Sequence, residues 1–139
     1  MNLIEIKDWK EKSKEYNKMI KIYYRSNCGS SRRALEWFQS HNIEVQKHKI
    51  TGLNQKDLFI LLKLSDGGIE GIIKKSQNND FKTNKKLISL MEMTFNDALY
   101  FLISHPGLLR TPIIFDDRKC IIGYNSEEIR CFFPKIPHQ

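Results

Sequence analysis

The stretch Ser26-Asn27-Cys28-Gly29-Ser30-Ser31-Arg32-Arg33 stands between a hydrophobic run and a segment of helical periodicity. That context puts Cys28 at a strand-to-helix junction. There the first backbone N–H groups of the helix lack internal partners and the helix dipole favours an anion. Both effects lower a thiol pKa, and Arg32 and Arg33 lie one turn further in. Gly29, Ser30 and Ser31 add backbone and hydroxyl donors, which makes the loop a candidate anion cradle. Cys28 can therefore be a nucleophile, half of a redox switch, or a half-buried cysteine used as a small helix-start residue. Ser31 occupies the position at which a Cys-x-x-Cys motif carries its resolving cysteine, so no disulfide can form within this motif.

The remaining chemistry is sparse. Cys120 lies in an apolar strand and Cys131 in an apolar helix, and both read as core fillers. Three cysteines at wide spacing suit free thiols in a reducing compartment. His41, His48, His105 and His138 show no paired spacing with each other or with the cysteines, so neither a metal site nor a cofactor is expected. The chain has 139 residues, 40% of them hydrophobic and 28% charged, the composition of one folded domain. No apolar run approaches bilayer length and no signal-peptide pattern opens the chain, which places the protein in the cytoplasm, away from membranes. The net charge of +7 is spread along the chain without a long basic run and reads as a lysine-rich solvated surface rather than a DNA-binding face.

The elements that must position Cys28 follow from periodicity. Ile20 to Tyr24 is a short strand, Ala34-Leu35 with Trp37-Phe38 gives a helix, and Ile43 to Ile50 is a second strand, together a βαβ unit. Thr111 to Tyr124 reads as a hairpin around Asp116-Asp117-Arg118-Lys119. A helix from about Ser126 to Phe133 follows, capped by Asn125 or Ser126 and ended before Pro134. Between these halves, residues 54–105 are helical in pattern. Asn54 and Thr94 act as caps, a short helix lies near Ile69 to Lys75, and Ser76 to Asn84 reads as a polar loop. The fold class is thus α/β: a thioredoxin-like fold whose βαβ and ββα halves are interrupted by an α-helical insert. Residues 1–18 form an N-terminal extension, read as an amphipathic helix, an extra strand, or an upstream start; residues 19–139 form the domain.

Three segments resemble the arsenate reductase-like family that also contains the Spx transcriptional regulators. They are Ile22-Tyr23 before Cys28-Gly29-Ser30-Ser31-Arg32, His105-Pro106 with Leu109-Arg110-Thr111-Pro112-Ile113-Ile114, and Gly123-Tyr124-Asn125-Ser126-Glu127-Glu128-Ile129-Arg130-Cys131-Phe132-Phe133-Pro134. The last is most similar to the Spx branch. The resemblance spans about Met19 to Pro134 and implies a cis peptide at Thr111-Pro112, facing the cysteine loop. It also implies a choice of functions. The arsenate reductases of the family bind their oxyanion with three arginines, whose positions fall at Glu70, at Thr111 and near Gly123, so that trio is missing here. A glutamate at position 70 would repel an oxyanion, although Arg110 could still reach one. The regulators of the family dock on the C-terminal domain of the RNA polymerase α subunit without sequence-specific DNA binding of their own. By resemblance their contact surface falls at Gly68, Ile69 and Glu70, with Arg32 and Arg110 as further anion or partner contacts. A glycine there, exposed in the free protein, would permit close approach of a partner; Gly67-Gly68 as the C-cap of the preceding helix is the competing local account. The expectation is a Spx-like regulator of the oxidative or other stress response, monomeric when free. The alternative is a thiol-dependent arsenate reductase-like oxidoreductase using Cys28.

Overall fold

The structure is a computed structural model that describes residues 19–75 and 79–134; the alternatives for residues 1–18 lie outside the described residues. β1 (Ile20–Tyr24) leads through the cysteine loop into α1 (Gly29–Ser40) and back to β2 (Val45–Lys49). The insert follows as α2 (Gln55–Leu64), α3 (Ile69–Ile72), α4 (Phe81–Met91) and α5 (Phe95–Ser104). Then come β3 (Ile113–Phe115), β4 (Cys120–Ile122) and a 3₁₀ segment, Glu128–Phe132. The sheet order is β2-β1-β3-β4, with β1 parallel to β2 and the other two pairings antiparallel. This is the expected βαβ and ββα pair, and the Thr111-Pro112 peptide is cis as expected. Among the described residues no helix is long and apolar enough to cross a membrane.

The pleat divides the core in two, because successive strand side chains point to opposite faces. Ile22, Ile114 and Ile121 face Ala34 and Phe38 of α1 together with Ile129 and Phe132 of the 3₁₀ segment. Tyr23, Ile113 and Phe115 face the insert, where Leu58, Leu61, Leu87, Leu90 and Leu102 pack. The insert helices start where their caps dictate. Asn54 accepts from the Asp57 N–H, Asp80 from Thr83 and Thr94 from Asp97, each satisfying an otherwise orphaned donor. The Asp80 cap begins α4 at Phe81, so the loop expected over Ser76 to Asn84 ends four residues early; a cap outweighs the polar composition of the turn it starts. The terminal helix is also corrected. Asn125 Oδ1 accepts from the N–H groups of both Glu127 and Glu128, a tight turn that continues as 3₁₀ rather than α-helix.

One buried polar cluster ties the insert to the sheet. Asp57, in the first turn of α2, is 1% exposed. It accepts from Tyr23 Oη at 2.5 Å and from Lys21 Nζ at 3.2 Å, both on β1. Burial, reinforced by the Asp57 carboxylate, pushes the Tyr23 phenol well above the ordinary tyrosine value, so Tyr23 stays protonated and donating. Asp57→Ala leaves that buried hydroxyl without an acceptor and should destabilise the fold by about 1–3 kcal/mol. Asp57→Asn, which keeps an acceptor, should lose less. Urea denaturation of the two variants measures the difference.

Candidate functional site

Cys28 sits at the N-cap of α1, its thiol partly exposed in a cleft of about 510 Å³. Arg25 from the end of β1, Lys74 from the insert and Arg110 from the loop before β3 line the same cleft. It thus holds three cations, though none at the positions expected from the family resemblance. Glu70 lies elsewhere, in a groove of the insert with Ile73, Leu87, Ile88 and Met91. The repulsion expected from Glu70 is therefore corrected: Glu70 does not line the cleft, whereas Lys74, two residues past the end of the helix that carries Glu70, lines both the cleft and the groove. Glu128 is the carboxylate on the cleft wall.

Arg25 organises this site. Its guanidinium donates to Thr111 Oγ1 at 3.3 Å and to the carbonyls of Pro106 and Leu109 at 3.0 and 3.4 Å. Its backbone N–H donates to Ser31 Oγ at 3.2 Å. Two hydroxyls are thereby engaged as acceptors, which leaves their own hydrogens free to point at sulfur. Burial pushes the Cys28 thiol up. The side chains of Thr111 and Ser31 and the first-turn N–H groups of Ser31 and Ser30 outweigh it, and the net shift is downward. The Sγ also lies 3.7 Å from the Thr111 carbonyl, a contact that only the protonated thiol can make as a donor. At that length it offsets little of the shift. Cys120 and Cys131 move the other way, burial pushing both thiols up.

Of the other expected site residues, Arg110 is in the cleft, while Arg32 is exposed on α1 and does not line it. The groups that lower the Cys28 pKa are neutral hydrogen-bond donors of Thr111, Ser31 and Ser30, not the guanidinium groups of Arg32 and Arg33. Ser31 is 1% exposed and serves as a fixed hydroxyl donor in the place of a resolving thiol. Cys131, read as a core filler, is exposed, because the 3₁₀ segment turns Ile129 and Phe132 inward and leaves Cys131 outside; Cys120 is half-buried. Gly68, Ile69 and Glu70 open α3. α2 ends at Ser65 in an extended conformation, so Gly67-Gly68 do not form its C-cap. Among the described residues no group of three or more His, Cys, Asp or Glu side chains is placed to hold a metal ion.

Thr111 lies at the cleft where the family resemblance places it, and Arg25 and Lys74 complete the site without having stood out in the sequence as parts of it. Arg25 had a signal, being the last cation before the cysteine loop. Lys74 had none, since a long-range seam delivers it. The Lys74 N–H donates to the Leu108 carbonyl at 2.8 Å, the Arg110 N–H donates to the Ile72 carbonyl at 2.9 Å, and Ile73 bridges Leu109 between them. Burial, then the neighbouring Arg25 charge, holds the Lys74 ammonium below its ordinary pKa.

This arrangement predicts the pH dependence of Cys28. Iodoacetamide should alkylate Cys28 with a midpoint below the ordinary thiol range, since the thiolate is the nucleophile. Ser31→Ala and Thr111→Val should each raise that midpoint, because each removes one hydrogen bond to the charged sulfur. Mass spectrometry of the labelled peptide reads the rate at each pH. Unshifted midpoints in both variants would contradict the donor assignment.

A model of the ArsC family matches residues 23–132. Curated relatives called "Global transcriptional regulator Spx" include one from Streptococcus agalactiae, 32% identical over 119 residues, covering 84% of this chain and 85% of the relative. Another, from Enterococcus faecalis, is 34% identical over 123 residues and covers 87% and 91%. Solved structures with the same fold include an ArsC-family-related protein of Bacteroides fragilis, with TM-score 0.67, 20% identity, and coverage of 80% of this chain and 94% of that one. An arsenate reductase of Vibrio cholerae gives TM-score 0.61 at 16% identity, covering 81% and 93%. With a family model matched over most of the domain and relatives above 30% identity along most of both chains, this chain belongs to the ArsC family, among the relatives of its Spx proteins.

Proposed function

We propose that the chain is a Spx-like transcriptional regulator of the cytoplasm, monomeric when free. It docks on the C-terminal domain of the RNA polymerase α subunit, redirects transcription under oxidative or other stress, and makes no sequence-specific DNA contact of its own. The observation that carries this reading is the backbone at Gly68. Its φ of +59° and ψ of −136° belong to a region that only glycine adopts readily, and no atom lies within 4 Å of where a Cβ would stand. This backbone turns the chain into α3, its carbonyl accepting from the Gly71 N–H at 3.2 Å and from Ser65 Oγ at 3.4 Å, at the position where the family resemblance puts the polymerase contact. Beside it runs the apolar groove of α3 and α4, whose rim residues Ile88 and Met91 are 64% and 49% exposed. The seam from Ile72 to Lys74 joins this surface to the Cys28 cleft, so a change at the thiol has a short path to the contact.

The second reading, an arsenate reductase-like enzyme, draws on the three cations and the acidified thiol of the cleft. It ranks below the first because the relatives above 30% identity are named as Spx regulators, whereas the likeness to the solved arsenate reductase structure supports the fold alone. Turnover of arsenate with glutaredoxin or thioredoxin, abolished in Cys28→Ser, would establish it.

Gly68 is half-buried rather than exposed as expected, and its positive φ puts a cost on any substitution even in the free protein. Any other residue costs about 1–3 kcal/mol of backbone strain, so Gly68→Ala is the necessary control. Both variants should melt earlier than the parent, to a similar degree. Only Gly68→Arg should obstruct docking, with at least a tenfold greater loss of affinity for the isolated polymerase domain than Gly68→Ala, or about 1.4 kcal/mol. Titration calorimetry alongside melting curves separates the effects. Equal affinity losses in two folded variants would remove the docking assignment.

A further inference from the structure

β4 is one of the two outer strands of the sheet, and among the described residues nothing pairs with its far side. In an antiparallel ladder, hydrogen-bonded and non-bonded residue pairs alternate. The Gly123 N–H donates to the Pro112 carbonyl at 2.7 Å, and the Asp116 N–H donates to the Lys119 carbonyl at 3.0 Å. Between them Ile114 and Ile121 form the bonded pair, so Cys120 and Ile122 turn their N–H and C=O groups away from β3. These groups face a groove of about 630 Å³ that runs along residues 119–122. One wall is the loop Ser65 to Gly67 with Gly71; the other is Glu127, Glu128 and Cys131.

The two edges of the sheet are treated differently. β2 ends in Lys47, His48 and Lys49, all exposed, which is how natural sheets discourage edge pairing. β4 reads Cys-Ile-Ile, with no charge, proline or bulge. The groove beside it carries the carboxylates of Asp66, Glu127 and Glu128. Its one cation, Lys119, is held by Asp116 at 2.8 Å, while Glu127 has only a long contact of 3.8 Å to an exposed Arg130.

We propose that the free edge of β4 is a docking site for an extended, basic segment of a partner protein, which adds a fifth strand through the outward N–H and C=O groups of Cys120 and Ile122. Main-chain bonds supply the pairing, and the acidic walls select lysine or arginine side chains. The site adjoins the Gly68 turn through its Ser65–Gly67 wall and shares Ile122 and Glu128 with the Cys28 cleft, but it does not depend on the polymerase reading.

The test uses the full isotopically labelled chain and the peptide acetyl-KVKVKVK-amide. The expected result is saturable binding, with NMR shifts and new hydrogen-exchange protection at the Cys120 and Ile122 amides. The same peptide N-methylated at every residue should lose binding, because no N–H is left on either edge to complete a ladder. Acetyl-EVEVEVE-amide should bind at least tenfold more weakly, and the exposed double change Asp66→Lys/Glu127→Lys should reverse that order. The proposal is overturned by the absence of saturable binding, by binding that survives N-methylation, or by protection of the two amides before any peptide is added. That last outcome would assign the edge to residues 1–18 or to a second copy of the chain.

Discussion

Arg25 is the residue on which the geometry of the cleft depends. At the end of β1 it binds the carbonyls of Pro106 and Leu109, the Thr111 hydroxyl and, through its own N–H, the Ser31 hydroxyl. Three parts of the chain meet at this one residue: the cysteine loop at its backbone N–H, and the return from the insert and the segment leading into β3 at its guanidinium. A guanidinium suits the task because it is planar, permanently charged and presents several donors in fixed directions. Lysine could satisfy only part of that set. The acidity of Cys28 follows from the same arrangement, since Arg25 occupies the lone pairs of two hydroxyls and leaves their hydrogens for the sulfur.

The layout of the sheet was legible in the sequence because it rests on local signals. Strand runs, helical periodicity and the caps Asn54 and Thr94 announce themselves within a few residues, and the hairpin turn is marked by Asp116, whose carboxylate accepts from the Arg118 and Lys119 N–H groups. The position of Cys28 was legible for the same reason. The start of α4 was not, because a single aspartate cap inside a polar stretch looks like more loop. Nor was the Asp57 cluster, which joins residues 34 and 36 positions apart; a carboxylate one turn into a helix ordinarily reads as a solvated charge favoured by the dipole.

The cations of the cleft illustrate the same limit. Matching motif to motif locates a family's arginines by sequence position and finds other residues there. The folded chain supplies positive charge from Arg25, Lys74 and Arg110, of which Lys74 arrives only through the seam between Ile72 and Arg110. Positive charge at a thiol-bearing cleft is thus compatible with two uses, anion chemistry or partner recognition, and the separation of the two lies outside the cleft. In the proposed regulator the distinguishing contact is at Gly68, whose positive φ favours glycine and beside which a Cβ would meet open space. Gly68 does not line the Cys28 cleft, and no side chain stands between its Cα and the open space beside it.

Hydrogen exchange of the full chain, with and without the isolated C-terminal domain of the polymerase α subunit, tests the regulator account most directly, because it reads the contact residue by residue. Docking at the Gly68 surface predicts slowed exchange over residues 67–74 on addition of the domain, at concentrations where affinity is micromolar. No change in exchange anywhere, or protection confined to other elements while residues 67–74 exchange as in the free protein, would contradict it.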